Sequence, residues 1–475
     1  MKLNTPTTLV IFGATGDLAR SKLFSALSSM FEKSVLPDKF EVVGFARSPL
    51  SDGEFREVIT KAAKPKSKKF TNHARYLAGL FEDIAAYKKL GELLLRIDGK
   101  FKACANKLFY LAVAPKYYKT ILENLSASGL TIPCADGAGW TRILLEKPFG
   151  SDAQAARELD KHLAQLFREE QIFRIDHYLA RETMQNILSF RFSNAIFEPL
   201  WSNNYIEHVE IKLLEKEGVG ERGTFYDEIG ALRDVGQNHI LQMLALVAMG
   251  HPQKFETASI RRERAKILEA LREIRPDEVS KYTLRGEYAG FRKLGGVRRD
   301  SSTETYFRIE AYIDNARWSG VPFYLEGGKG LSENRVEINI FFKTVSPCFC
   351  REPHEGHNHQ NMLSFEVKPR EQITIRFWTK KPGVNFAIEP RNLSFEYRAA
   401  GSPQTRSEAY EKVLFDCIQG EQVLFASSEE VAASWRFVMP ILDVWRKDKM
   451  PLITYEKGSS SHLIGQDKRV SRKEE

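Results

Sequence analysis

Asp176, His177, Tyr178 and Arg181 put a carboxylate, an imidazole, a phenol and a guanidinium close together in the run Phe173-Arg174-Ile175-Asp176-His177-Tyr178-Leu179-Ala180-Arg181-Glu182. Titratable groups at this density transfer protons and hold anions when they line a cleft. The same run also reads as a solvated helix start capped by Asp176. A second cluster, Arg233-Asp234-Val235-Gly236-Gln237-Asn238-His239, interrupts the apolar stripe of one long helix expected over residues 227–249. Polar groups beside such a stripe cost free energy unless they are paired or used. On a regular helix, Asp234 and His239 lie about 140° apart. A carboxylate partner for His239 is therefore expected from elsewhere, with Asp176 the candidate. The alternative is a hydrogen-bonded core histidine.

Strands and helices must position these groups. Residues 8–12 form a short apolar, β-branched run, as expected of a buried parallel strand. Gly13-Ala14-Thr15-Gly16-Asp17-Leu18-Ala19 follows, and then a helical stripe through Leu23, Phe24, Leu27, Met30 and Phe31. A strand, a glycine turn and a helix give a dinucleotide motif its context, because close backbone N–H groups and the helix dipole favour a pyrophosphate. The next strand, residues 40–46, ends in Arg47-Ser48 rather than in the acid that binds a ribose 2′-hydroxyl. A guanidinium there favours a 2′-phosphate and points to NADP, although an exposed loop arginine would look the same. Strands at 108–113 and 142–145 flank a helix at 117–125, and a further helix spans 153–167. Lys147, in Glu146-Lys147-Pro148-Phe149-Gly150, lies at a strand's carboxyl end, where ligands of such sheets bind. The first half is expected to be a doubly wound, Rossmann-like α/β domain.

The second half alternates with period two at residues 307–313, 336–340, 363–367 and 373–377. Helices are expected at 180–192, 407–418 and 429–445. This pattern predicts an α+β domain with a large, mostly antiparallel sheet, one face of which is covered by helices. The linear division is 1–175, 176–457 and a polar tail, 458–475, expected to be disordered.

The chain has 475 residues, 43% hydrophobic and 28% charged, with net charge +8. That charge favours anionic partners. Its dense basic run, Lys64 to Lys69, comes without a zinc-finger or RNA-binding signature, so a phosphorylated small molecule is favoured over nucleic acid. Five cysteines argue against a disulfide framework and for a reducing compartment. No signal-peptide core and no membrane-spanning apolar run is present, and a cytoplasmic protein is expected. Cys348, Cys350, His354, His357 and His359 sit in one loop, but their spacing fits no zinc module, and a solvated hairpin loop is the simpler reading.

The glycine turn, the Glu146-Lys147-Pro148-Phe149-Gly150 segment, Arg174-Ile175-Asp176-His177-Tyr178-Leu179, and Arg233-Asp234 with Gln237-Asn238-His239 occur in an order that resembles the glucose-6-phosphate dehydrogenase family over nearly the whole chain. The resemblance implies oxidation of D-glucose 6-phosphate at C1 to a lactone, with hydride passing to NADP and NAD as a secondary coenzyme. It implies His239 as general base and Asp176 as its orienting carboxylate. His177, Tyr178 and Arg181 would hold the 6-phosphate, and Glu215 and Asp234 the sugar hydroxyls. Lys147, Lys22 and Lys329 would line the same pocket. Gly13, Ala14, Thr15, Gly16, Asp17, Leu18, Ala19, Arg47, Ser48, Lys147 and Tyr118 fall to the coenzyme. A homodimer or dimer of dimers is also implied. One departure stands out, since Ala180-Arg181 replaces the family's Gly-Lys. The charge is kept, but on a planar fork rather than a compact ammonium. A non-catalytic sensor of NADP and a metal-binding interaction protein are the competing readings.

Overall fold

The computed structural model describes residues 5–63, 69–134, 139–345, 359–397, 408–447 and 450–464. Alternation dominates the first part: β1 (Thr7–Phe12), α1 (Phe24–Glu32), β2 (Phe40–Ala46), α2 (Asp52–Ala63), β3 (Ala74–Ala78), α3 (Ile84–Phe101), β4 (Asn106–Leu111), α4 (Tyr118–Ala127), β5 (Thr141–Leu145), α5 (Ala153–Leu166) and β6 (Ile172–Ile175). Next come α6 (Glu182–Phe192), β7 (Ile206–Leu214), α7 (Gly223–Ala231), a π-helix (Leu232–Ile240), α8 (Leu241–Ala248), α9 (Thr257–Glu269) and α10 (Val279–Tyr282). Strands then prevail: β8 (Thr283–Tyr288), β9 (Tyr306–Ala311), β10 (Phe323–Gly328), β11 (Arg335–Phe342), β12 (Met362–Lys368), β13 (Gln372–Lys380) and β14 (Ile388–Glu396). The chain closes with α11 (Glu408–Gln419), β15 (Phe425–Ala426), α12 (Ser428–Arg446) and β16 (Leu452–Tyr455).

Two compact units result. The first comprises Met1–Ala180, Glu256–Arg261 and Pro403–Ser428. Its sheet runs β15-β6-β5-β4-β1-β2-β3 and is parallel except for β15. β1 and β2 are buried along their whole length, which is why they read as continuous apolar runs rather than alternating ones. The linear division needs correcting here. Residues 408–428 return to the first unit, where β6 would otherwise be a bare edge. β15 pairs with it, Phe425 packs on Phe173 at 4.9 Å between ring centroids, and Arg142 donates to the Cys417 carbonyl at 2.6 Å. The unit also runs on to Ala180, past the expected boundary at 175.

Cysteine arithmetic misled as well. Cys104 and Cys134 form a disulfide, while Cys417 is free and buried. The two partners lie in the segments that enter β4 and β5, and these are neighbouring parallel strands. Sheet topology, which no spacing rule encodes, brings them together. The basic run at 64–68 and the candidate metal ligands Cys348, Cys350, His354 and His357 lie outside the described residues. His359 is described and packs its ring 4.3 Å from Trp378.

The second unit comprises Arg181–Phe255, Arg262–Ser402 and Glu429–Glu475. Its sheet has nine strands in the order β14-β13-β12-β11-β7-β10-β9-β8-β16. Two of its pairings, β7 with β10 and β8 with β16, are parallel. The tail expected from 458 onward is not loose at its start. Gly458 donates to the Gly330 carbonyl at 2.7 Å, and Ile464 is buried against Leu214, Tyr226 and Tyr288. Residues 465–475 lie outside the described residues.

Residues 227–249, expected as one helix, are three elements. Gly230 breaks the first of them at φ +74° and ψ 168°. A Cβ at Gly230 would lie 2.5 Å from the Glu304 carboxylate, whose Oε1 accepts the Leu232 N–H at 2.9 Å. Glycine is required there both for its backbone conformation and for this close approach. Burial raises the pKa of Glu304, against the pull of the Leu232 N–H. The wide turn that follows therefore starts from a carboxylate seated where a side chain would be. Gly230→Ala is expected to destabilise the protein by about 1–3 kcal/mol, the cost of a strained backbone plus a displaced carboxylate. A urea midpoint unchanged from the parent would count against this account.

Candidate active site

The first unit supplies a tight glycine turn after β1. Gly13 has φ +81°, its N–H donates to Phe45 O at 2.8 Å, and a Cβ there would sit 2.5 Å from Ala112 O. Gly16 closes the turn by donating to Gly13 O at 2.9 Å. The backbone then enters a π-helical stretch, Ala19–Leu23, which carries the half-buried Lys22 into α1. Ala14 and Ala19 are buried, Thr15 and Leu18 half-buried, and Asp17 exposed. Arg47 stands exposed directly after β2. Ser48 anchors that corner by accepting the Tyr76 hydroxyl on its carbonyl at 2.7 Å.

Lys147 follows the carboxyl end of β5. Tyr118 is buried and donates to Glu146 O at 2.8 Å, so it supports the peptide that precedes Lys147. Asp176 follows β6 and is buried, with Oδ1 accepting the Tyr178 N–H at 2.9 Å. This is a local turn and not the solvated helix cap: Asp176 is buried, and α6 begins only at Glu182 with Arg181 at its N-cap. The His177 ring lies 4.7 Å from that of Tyr178 and stacks 6.4 Å from Tyr410. Tyr410, on the returning α11, carries no motif that could have flagged it.

In the second unit, register does the positioning. Gly328 of β10 is the parallel partner of Leu214 of β7, so the next residues, Lys329 and Glu215, emerge side by side. The Lys329 ammonium bonds the Glu215 carboxylate and lies 3.4 Å from Asp234 and 5.7 Å from the centroid of the Tyr226 ring. The Tyr455 hydroxyl fixes the Lys329 carbonyl at 2.6 Å. Asp234 and the buried His239 share the π-helix, which packs on the sheet at β10. This corrects the helical-wheel argument. With i→i+5 bonding, residues five apart come about one turn apart, as the 3.0 Å bond from Asn238 Nδ2 to Arg233 O illustrates. The structure thus brings Glu215 and Lys329 together with Asp234, which lies on the element that carries His239.

Arg181 precedes α6. Its Nη1 reaches Glu371 at 3.4 Å, and its buried Nε has no hydrogen-bond partner among the described residues. Sequence reasoning missed Glu371. A lone glutamate opening a strand gives no signal until the fold sets it against an arginine.

Paired carboxylates on a lysine, with a histidine on the helix that bears one of them, can bind a polyhydroxylated ligand and take a proton from it. The guanidinium and the glycine turn are suited to anions. Two family models match the chain: the NAD binding domain of glucose-6-phosphate dehydrogenase over residues 10–186 and the C-terminal domain of that enzyme over 188–468. Glucose-6-phosphate 1-dehydrogenase of Bacillus subtilis (strain 168) is 39% identical over 465 residues, covering 95% of this chain and 94% of the relative. Among solved structures, a glucose-6-phosphate dehydrogenase in complex with its substrate glucose-6-phosphate superposes with TM-score 0.89 at 31% identity, covering 99% of this chain and 98% of that one. The glucose-6-phosphate 1-dehydrogenase of Mycobacterium avium gives TM-score 0.80 at 30% identity over 96% and 95% of the two chains.

Lys329→Met would leave Glu215 and Asp234 facing each other without their counter-charge. The expected loss is about 1–3 kcal/mol, below the ~3–5 of a fully buried pair because Glu215 is partly exposed. Adding Glu215→Gln should recover part of it. Strictly additive losses in denaturant unfolding would refute the pairing.

Proposed function

The chain belongs to the glucose-6-phosphate dehydrogenase family, and from that premise we propose that it oxidises D-glucose 6-phosphate at C1 to 6-phosphoglucono-1,5-lactone with NADP as hydride acceptor. The observation that carries the proposal is the meeting of Glu215 and Lys329 with Asp234, which shares a wide helix with His239.

In this reading His239 takes the proton of the C1 hydroxyl. An imidazole, with an unperturbed pKa of ~6.5, is suited to that task near neutral pH. Asp176 provides the carboxylate that selects the tautomer and stabilises the imidazolium. As the O–H bond breaks, the C1–H bond breaks with its electron pair and C1 gains its carbonyl. Accepting that hydride is what the nicotinamide supplies when bound. Glu215, Asp234 and Lys329 bind sugar hydroxyls, while His177, Tyr178 and Arg181 hold the 6-phosphate. Lys22 and Lys147 line the sugar-phosphate pocket, and Lys147 also touches the coenzyme. Gly13 to Ala19 fit a pyrophosphate because no side chain obstructs the turn at Gly13. Arg47 and Ser48 fit a 2′-phosphate, so NADP is assigned ahead of NAD.

The same reading places the reaction in the cytoplasm, at the entry to the oxidative pentose phosphate pathway. Among the described residues, no helix is long and apolar enough to cross a membrane. A homodimer or dimer of dimers belongs to it too, and the exposed Phe377, Leu393 and Phe395 on β13 and β14 are what a second copy would cover.

Two kinetic outcomes are expected. Followed by the absorbance of reduced nicotinamide with glucose 6-phosphate, His239→Asn should lower kcat by roughly 10²–10⁴-fold and leave KM within a few-fold. An unaltered rate would remove His239 from the mechanism. In the parent, kcat/KM should favour NADP over NAD by about tenfold or more, and Arg47→Ala should narrow the gap. Equal use of both coenzymes by the parent would withdraw the NADP assignment.

A further inference from the structure

Glu146 makes a set of polar contacts that none of the assigned roles uses. It follows β5 and directly precedes Lys147. The residue keeps some surface, but its carboxyl lies between two buried phenols. Tyr110, from β4, donates to Oε1 at 2.5 Å, and Tyr410, from α11, hydrogen-bonds the same carboxyl. Tyr118, from α4, holds the Glu146 carbonyl. Two charged groups lie within electrostatic reach of the carboxyl: Lys147, the next residue, and Asp176 after β6. Behind the tyrosines, Cys417 and Asp416 lie on α11, Arg142 on β5 faces Cys417, and the His177 ring stacks on Tyr410.

We propose that Glu146 is a positioning residue: its carboxyl, clamped by Tyr110 and Tyr410, carries the negative charge that fixes Lys147 and so sets how tightly the sugar phosphate is held. The proposal rests on the function given above. Every contact that defines the clamp comes from a different element, so the arrangement is built by the fold and is not a local accident of sequence. Burial pushes the Glu146 pKa up to about 7, with Tyr110, Lys147 and Tyr410 pulling it down and Asp176 pushing it up. The charge therefore appears as pH rises through neutrality and disappears as pH falls. Lys147 is held above pH 7 and loosened below it.

The test measures KM for glucose 6-phosphate and kcat from pH 6 to 8.5 in the parent, Glu146→Gln and Tyr410→Phe. The substrate's own phosphate ionisation, near pH ~6, affects all three alike. In the parent, KM should rise about three- to tenfold as pH falls through 7, in excess of the rise in Glu146→Gln. The Gln variant should show the high KM at every pH, with kcat within about threefold of the parent. Tyr410→Phe removes one donor to the carboxylate, so its KM inflection should move to higher pH. This second variant keeps the question open to test should Glu146→Gln fail to fold. Parallel KM profiles in parent and Gln variant would overturn the proposal. So would a loss of kcat at unchanged KM, or an unmoved inflection in Tyr410→Phe. A parent that does not reduce NADP with glucose 6-phosphate would instead bring down the functional reading itself.

Discussion

A lysine ammonium held between two carboxylates is the interaction on which the second unit's site depends. Lys329 is almost fully buried, and its charge is tolerable only because Glu215 and Asp234 share it. Meeting that requirement constrains the fold at three places. β7 and β10 must run parallel within a largely antiparallel sheet, so that the residues after each strand emerge together. The helix above them must be wide enough for Asp234 and His239 to share a side. That widening in turn begins at Gly230, where the Glu304 carboxylate occupies the space of a side chain.

The first unit solves a related problem at its own sheet. β6 ends in the segment that bears Asp176, and a free edge there would leave the segment poorly supported. The chain returns after more than two hundred residues to pair β15 with β6, and α11 comes with it. The return supports more than an edge, because Tyr410 on α11 reaches both the Glu146 carboxyl and the His177 ring. Structural closure and the electrostatics next to Lys147 are therefore contributed by one excursion of the chain.

Much of this was legible in the residues. β1 and β2 were readable as continuous apolar runs because parallel strands are covered on both faces, and β12 as alternation because one of its faces is more open, whereas β11 alternates in sequence yet is buried on both faces. The glycine turn was readable because only glycine takes the Gly13 conformation so close to Ala112. By contrast, the 140° separation of Asp234 and His239 was wrong for a physical reason: it assumed 3.6 residues per turn where the chain forms i→i+5 bonds. The Cys104–Cys134 pairing and the start of the tail were misjudged because both depend on which loops the sheets bring together.

By itself, the sequence determined the local preferences and the chemistry available: the strand and helix periods, the glycine turn at Gly13, and the histidine, carboxylates and lysines from which a site could be made. These are properties of a residue and its near neighbours, so they survive without coordinates. The tertiary structure alone decided which of those groups share charge. Lys329 meets Glu215 through strand register, Arg181 meets Glu371 across the second unit, and Tyr410 meets Glu146 after a long return. Such pairings join positions far apart in the chain, and the energy that selects them, burial of charge against its partner, exists only once the chain has closed around them.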